Sequence, residues 1–213
     1  MKALKLFILM LLTAFATYAQ KPTSFTVDLK KGITLIDSAK TADQYAQAAT
    51  YFDKMAITQP KEWLVQYYSA YSNLLMGIRG TGNEEMKDAI YNKALGYVAK
   101  ADALQPNNSE IYVLKGYLTF MKMSIESQTR AMQMIPEADE YLVKAIKLNP
   151  ENPRAYLVRG QNTFYTPQMF GGGKKEAKPI LAAGVEKFAI QNIKGLEPAW
   201  GKARCATLLK QCD

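Results

Sequence analysis

Gly171, Gly172 and Gly173 stand directly before Lys174 and Lys175. Three glycines free several backbone N–H groups from the conformational limits of a side chain. Placed at the start of a helix, beside two ammonium groups, such N–H groups can hold a phosphate or carboxylate. Phe170, Gly171, Gly172, Gly173, Lys174 and Lys175 are therefore one candidate site, for an anion or a loop-bound ligand. A phosphate loop of the nucleotide-binding type is excluded, because it needs a strand before it and Ser or Thr after the lysine. The bland alternative is an elongated turn in which the glycines supply positive φ.

The other reactive side chains point to little chemistry. Cys205 and Cys212 are the only cysteines. Two turns of intact helix would hold them about 10 Å apart, too far for a disulfide. A bond between them requires the helix to stop first and the tail to fold back; otherwise one thiol is buried and one frayed. The chain has no histidine, which excludes Ser-His-Asp and Cys-His mechanisms and any His-containing zinc site. Acid pairs such as Glu84-Glu85 and Asp139-Glu140 fall in predicted first turns, where the helix dipole accounts for them. No metal site, cofactor motif or catalytic set emerges, and the chain reads as a binding protein rather than an enzyme.

What positions these residues is a recurring helix that stops at a proline. The stops are Pro60, Pro106, Pro150 and, more loosely, Pro198, separated by 46, 44 and 48 residues. A period in this range marks a stacked array. Twelve residues before the first three prolines lie Ala48, Ala94 and Ala138. Eight before lie Phe52, Val98 and Leu142, and five before lie Met55, Ala101 and Ala145. Ten residues after them lie Ala70, Gly116 and Gly160, all small. Small residues let paired helices approach, and bulky ones fill the groove between. No segment alternates with period two, so the chain is predicted to be all-α. Thr41 and Gln44 form a predicted capping box, Asn83 a predicted N-cap, and Pro136 is expected at a helix N1 position.

The small–bulky–small–proline series of Ala138, Leu142, Ala145 and Pro150 resembles the second helix of a tetratricopeptide repeat (TPR). Tyr156 and Gly160, like Tyr112 and Gly116, match the aromatic and glycine of that repeat's first helix. The resemblance covers most of residues 27–211, with units ten to twelve residues longer than the usual 34, and it implies a TPR-like helical-hairpin solenoid of about four hairpins plus a C-terminal capping helix. In TPR arrays the first helices line a concave groove, which would place Tyr67, Tyr71, Val113, Tyr117, Leu157, Gln161 and Tyr165 on it as candidates for binding a protein or peptide partner. The Lys and Asn residues with which some TPR proteins clamp a terminal carboxylate are missing, so an apolar or amphipathic segment fits better. The layout, with Pro198-Ala199-Trp200-Gly201 near the C-terminus, also looks like exported TPR-like proteins of the Bacteroidetes. Met169 to Lys174 resembles the glycine turn of TPR-type periplasmic subunits of TRAP solute transporters, which implies the alternative of a solute-handling component with its ligand near the Gly171–Gly173 loop.

Address and surface complete the reading. Lys2 and Lys5, the apolar run Leu6–Leu12 and the ending Thr17-Tyr18-Ala19 read as a signal peptide over 1–19, cleaved before Gln20. Residues 20–213 are expected to form one α-helical domain, periplasmic or secreted, with no transmembrane segment. The formal charge is +8, two units of it from Lys2 and Lys5. The remaining lysines are scattered among acids without an arginine stripe, the pattern of a solvated surface rather than of a nucleic-acid binder.

Overall fold

The computed structural model describes residues 24–213. The expected signal peptide and cleavage point lie outside the described residues. Nine α-helices are described: α1 (Ser24–Ser38), α2 (Ala42–Thr58), α3 (Trp63–Arg79), α4 (Glu84–Leu104), α5 (Ser109–Met123), α6 (Ser127–Leu148), α7 (Pro153–Tyr165), α8 (Lys174–Ile190) and α9 (Lys202–Lys210). Among the described residues there is no strand, and no helix is long and apolar enough to cross a membrane. The helices pair in order as α1/α2, α3/α4, α5/α6 and α7/α8, and α9 packs on α7 and α8. The architecture is four hairpins and a cap.

Local chemistry sets the helix starts. Thr41 and Gln44 make the reciprocal capping box, and the side chain of Asn83 accepts from the N–H of Met86. Asn108 and Asn152 each accept from the N–H two residues on, opening α5 and α7 alike. Pro136 is a correction: it sits inside α6, well past that helix's start at Ser127. Proline removes the N–H owed to the carbonyl of Met132, and Met132 lies on the exposed face, 77% accessible, where water can replace the lost donor.

The repeat is visible as packing. Ala48, Ala94 and Ala138, then Phe52, Val98 and Leu142, then Met55, Ala101 and Ala145 are all buried. A Cβ on Gly116 would stand 2.6 Å from Leu142 Cγ, and one on Gly160 would stand 2.7 Å from Leu181. These two glycines do one job, bringing α5 against α6 and α7 against α8. That equivalence locates the fourth copy at Ala177, Leu181 and Gly184, all buried, with the spacing of Ala138, Leu142 and Ala145. By that register the fourth stop would fall at residue 189, nine residues before Pro198. Instead α8 runs to Ile190 and residues 191–201 leave it as an irregular strap with a turn at 195–197.

Two large cores result. One is built from α1 to α5, the other from α5 to α9, and Tyr117 and Trp200 pack against both. A third, smaller cluster holds Phe120, Met123, Ala131 and Ala138, with Ile135 and Phe170 against it.

Candidate functional site

The strap decides what the first helices of the hairpins face. It crosses the first helices of the hairpins and seats Trp200 among them. The indole stacks on Tyr71 with ring centroids 4.7 Å apart and planes 14° from parallel. Its Nε1–H donates to the hydroxyl of Tyr67 at 2.9 Å, and Tyr117 lies 6.5 Å away, ring to ring. Tyr68 donates to the carbonyl of Leu196 at 3.1 Å. A Cβ on Gly201 would fall 2.5 Å from Leu157. Farther along, Arg204 of α9 donates to Gln161 Oε1 at 2.9 Å and to the hydroxyl of Tyr165 at 2.8 Å.

Of the seven groove candidates, Tyr67, Tyr71, Tyr117, Leu157, Gln161 and Tyr165 meet the chain's own C-terminal segment, whereas Val113 is buried in the second core. Tyr67, Tyr71, Val113, Leu157 and Gln161 are buried, Tyr117 is half-buried, and Tyr165 is exposed. Burial pushes the phenols of Tyr67 and Tyr71 well above their ordinary range. A partner segment would reach these rings only by displacing the strap.

Beneath the strap lies a buried ion pair that sequence reading missed. Arg154, 3% exposed, donates to both carboxylate oxygens of Glu110 at 2.7–2.9 Å. Its guanidinium also sits 5.9 Å from the Trp200 ring centroid. Burial opposes charge on Arg154, but the hydrogen bonds and charge of Glu110 outweigh it.

The glycine loop is a closed turn. The N–H groups of Phe170 and Gly172 both donate to the carbonyl of Pro167, that of Gly171 to Gln168, and that of Gly173 to Thr163. Gly171 and Gly173 have φ of 78° and 122°, which only glycine adopts freely. An anion would thus meet none of these four amides. Lys174 extends over the ring of Phe164, 5.9 Å from its centroid, and Lys175 is exposed.

What the loop does border is a hollow of about 510 Å³ between α6, α7 and α8. Phe120, Ala131, Ile135, Phe170 and Ile180 give it apolar walls. Arg159 and Asp139 pair at its rim, at 2.7 and 3.1 Å. Asn162, on the same face of α7 one turn beyond Arg159, lines it while only 7% exposed. Neither the nitrogen nor the oxygen of the Asn162 side-chain amide has a hydrogen-bond partner among the described residues. The hydroxyls of Thr163 and Thr166 donate to the backbone carbonyls of Arg159 and Asn162. Sequence reading missed Arg159 and Asn162. The available signal was the polar run Arg159-Gly160-Gln161-Asn162-Thr163 on a helix otherwise packed inside the array.

The cysteines are free. After α9 the chain closes through bonds from the N–H of Gln211 to Thr207 and Leu208 and from that of Cys212 to Leu209, so the tail does not fold back for a disulfide. Burial raises the Cys205 thiol to about 11, which keeps it protonated and inert at neutral pH. Among the described residues no group of three or more acidic, His or Cys side chains is arranged to hold a metal.

Comparison with known proteins agrees with this architecture. The chain is 28% identical to the HusA haemophore of Porphyromonas gingivalis, with a TM-score of 0.79, over 90% of this chain and 94% of that one. The fold is TPR-like. The source of that neighbour also agrees with the Bacteroidetes resemblance. A MamA RS-1 double mutant aligns at 18% identity and TM-score 0.47 over 78% of this chain and 76% of that one. YrrB, a TPR protein with an unusual peptide-binding site, aligns at 14% and 0.34 over 77% and 86%. Both are too distant in shape to bear on function. No protein-family model and no curated protein matches the chain.

Proposed function

We propose that this chain is an exported, non-enzymatic carrier of a flat, largely apolar small molecule of the tetrapyrrole class, held in the hollow beside the glycine loop. The observation that carries the reading is the likeness to a haemophore over nine-tenths of both chains at a TM-score of 0.79. The hollow supports it: about 510 Å³ is within the range of roughly 300–1,000 Å³ usual for small-molecule sites, and Phe120, Ala131, Met132, Ile135, Phe170 and Ile180 give it an apolar side opposite its polar residues. The covered first helices support it too, because the chain's own strap already lies where a TPR array would hold a peptide.

With no histidine in the chain, retention would rest on shape and apolar contact more than on an imidazole–iron bond. The test is titration of the chain lacking residues 1–19 with haem and with iron-free protoporphyrin IX, followed by absorbance and by quenching of Trp63 and Trp200. Saturable one-to-one binding of both is expected.

A second reading keeps the protein or peptide partner. It is favoured by the strap itself, which presents the groove with a tryptophan-bearing segment that a partner could imitate. Failure of both porphyrins to bind, with reproducible capture of one protein from periplasmic extract by the immobilised chain, would move the case to that groove.

A further inference from the structure

The polar side of the hollow has one side-chain group with donors left to give. The hydroxyl hydrogens of Thr163 and Thr166 go to backbone carbonyls, and the amides of Gly171 and Gly172 go to Gln168 and Pro167. The side-chain amide of Asn162 is sealed inside the protein, out of reach of a ligand in the hollow. Arg159 differs. A guanidinium carries five N–H donors on one rigid, planar fork. Asp139 takes a single edge of it, through Nε and Nη2. Nη1 has no partner among the described residues and is not one of the sealed polar atoms. The side chain lines the hollow and is 33% exposed.

The open edge of Arg159 has a definite complement. Two parallel N–H groups on a fixed charge match the two oxygens of a carboxylate, and such charge-assisted bonds are stronger than neutral ones. Asp139 holds the fork from behind, so less side-chain freedom remains to be lost when a ligand arrives. The rest of the lining sets the size of the effect. Glu176 is an exposed acid in it, which with Asp139 makes two acids to one base. That balance weakens the attraction of an entering carboxylate without removing its only matching donor, and removing one acid should strengthen it.

We infer that Arg159 anchors a carboxylate of the ligand on the edge that Asp139 leaves open, so that the hollow selects a flat apolar molecule bearing an acid side chain. The ring system lies against the apolar side, and the acid stays at the Arg159 rim. The inference rests on the tetrapyrrole reading given above. It supposes no covalent or redox step.

The experiment titrates the chain lacking residues 1–19 with protoporphyrin IX and with its dimethyl ester, which keeps the ring and removes both negative charges. Quenching of Trp63 and Trp200 reports binding. The free acid is expected to bind about fivefold more tightly than the ester, the scale of a partly exposed charge pair. In Arg159→Met that preference should vanish, with the ester changed less than about twofold. In Asp139→Asn, which frees the whole fork and removes one acid, the acid should bind about threefold more tightly still, and the ester should again stay within about twofold. Equal binding of acid and ester to the unsubstituted chain would overturn the inference and leave the tetrapyrrole reading standing. A preference for the acid that survives Arg159→Met would overturn the role of Arg159, and so would an acid that gains nothing from Asp139→Asn. Binding of neither porphyrin would overturn the inference and the reading together. Should Arg159→Met fold poorly, the comparison in the unsubstituted chain and the gain in Asp139→Asn decide the matter between them.

Discussion

Arg154 ties α7 to α5 through a buried ion pair with Glu110. It is 3% exposed and holds Glu110 in a fork-like pair under the indole of Trp200. A buried pair adds little over well-packed apolar residues, but breaking one leaves an uncompensated charge. Glu110→Ala should therefore destabilise the chain by about 3–5 kcal/mol. Urea unfolding checks this, and a loss below about 1 kcal/mol, the value of an exposed pair, would contradict it. Neither partner was legible in the sequence as a pair. Glu110 falls in the first turn of a helix, where the dipole explains an acid, and Arg154 follows an N1 proline, where a cation is unremarked. Their meeting depends on how α5 and α7 stack across 44 residues. Asn162 was hidden for a related reason: an asparagine on a helix looks solvated until the neighbouring hairpin covers it.

Helices and their pairing were the legible level. Small and bulky residues at fixed distances from Pro60, Pro106 and Pro150 give the packed faces, and those residues are buried. The strap was not legible. Pro198 resembles a late helix stop, and only the contact between Gly160 and Leu181 shows that the fourth copy had already run its course at Gly184. The glycines of the helices separate two roles that composition alone confuses. Gly116 is a contact: a Cβ there would lie 2.6 Å from Leu142 Cγ and 2.9 Å from the carbonyl oxygen of Ala138. Gly96, inside α4, has nothing within 4 Å of such a Cβ. Gly116→Ala is expected to destabilise by about 1–3 kcal/mol through overpacking. Gly96→Ala should stabilise by about 0.5–1 kcal/mol by removing backbone freedom from the unfolded chain. Thermal melts of the two variants should move in opposite directions; an unchanged or raised melt for Gly116→Ala would show that α5 and α6 can part without cost, and a lowered melt for Gly96→Ala would contradict the open space at that glycine.

At the scale of the whole molecule, buried phenols join the two cores, and this makes alkali a probe of the entire array. Tyr67 and Tyr71 lie against Trp200, which packs on both cores, and burial holds both phenols well above 10.0. Tyr91, under Gly77 in the first core, is pushed up to about 12. In each case the folded chain keeps a proton that the unfolded chain releases near 10. Protons bound in excess by the folded state mean that stability falls as pH rises. The contribution is fully present below pH 10 and is lost as pH climbs toward each folded value. Each such group removes about 1.4 kcal/mol per pH unit once the pH is well above 10, so three together remove about 4 kcal/mol per unit. A domain stabilised by about 5–15 kcal/mol cannot absorb that for long. The chain should unfold cooperatively between pH 10 and 12, with the buried tyrosines ionising in the same step as helix is lost. Parallel records of tyrosinate absorbance and circular dichroism test it. Smooth, uncoupled ionisation of all the tyrosines with helix intact would mean that the strap opens locally, freeing Tyr67 and Tyr71 while the hairpins stay stacked.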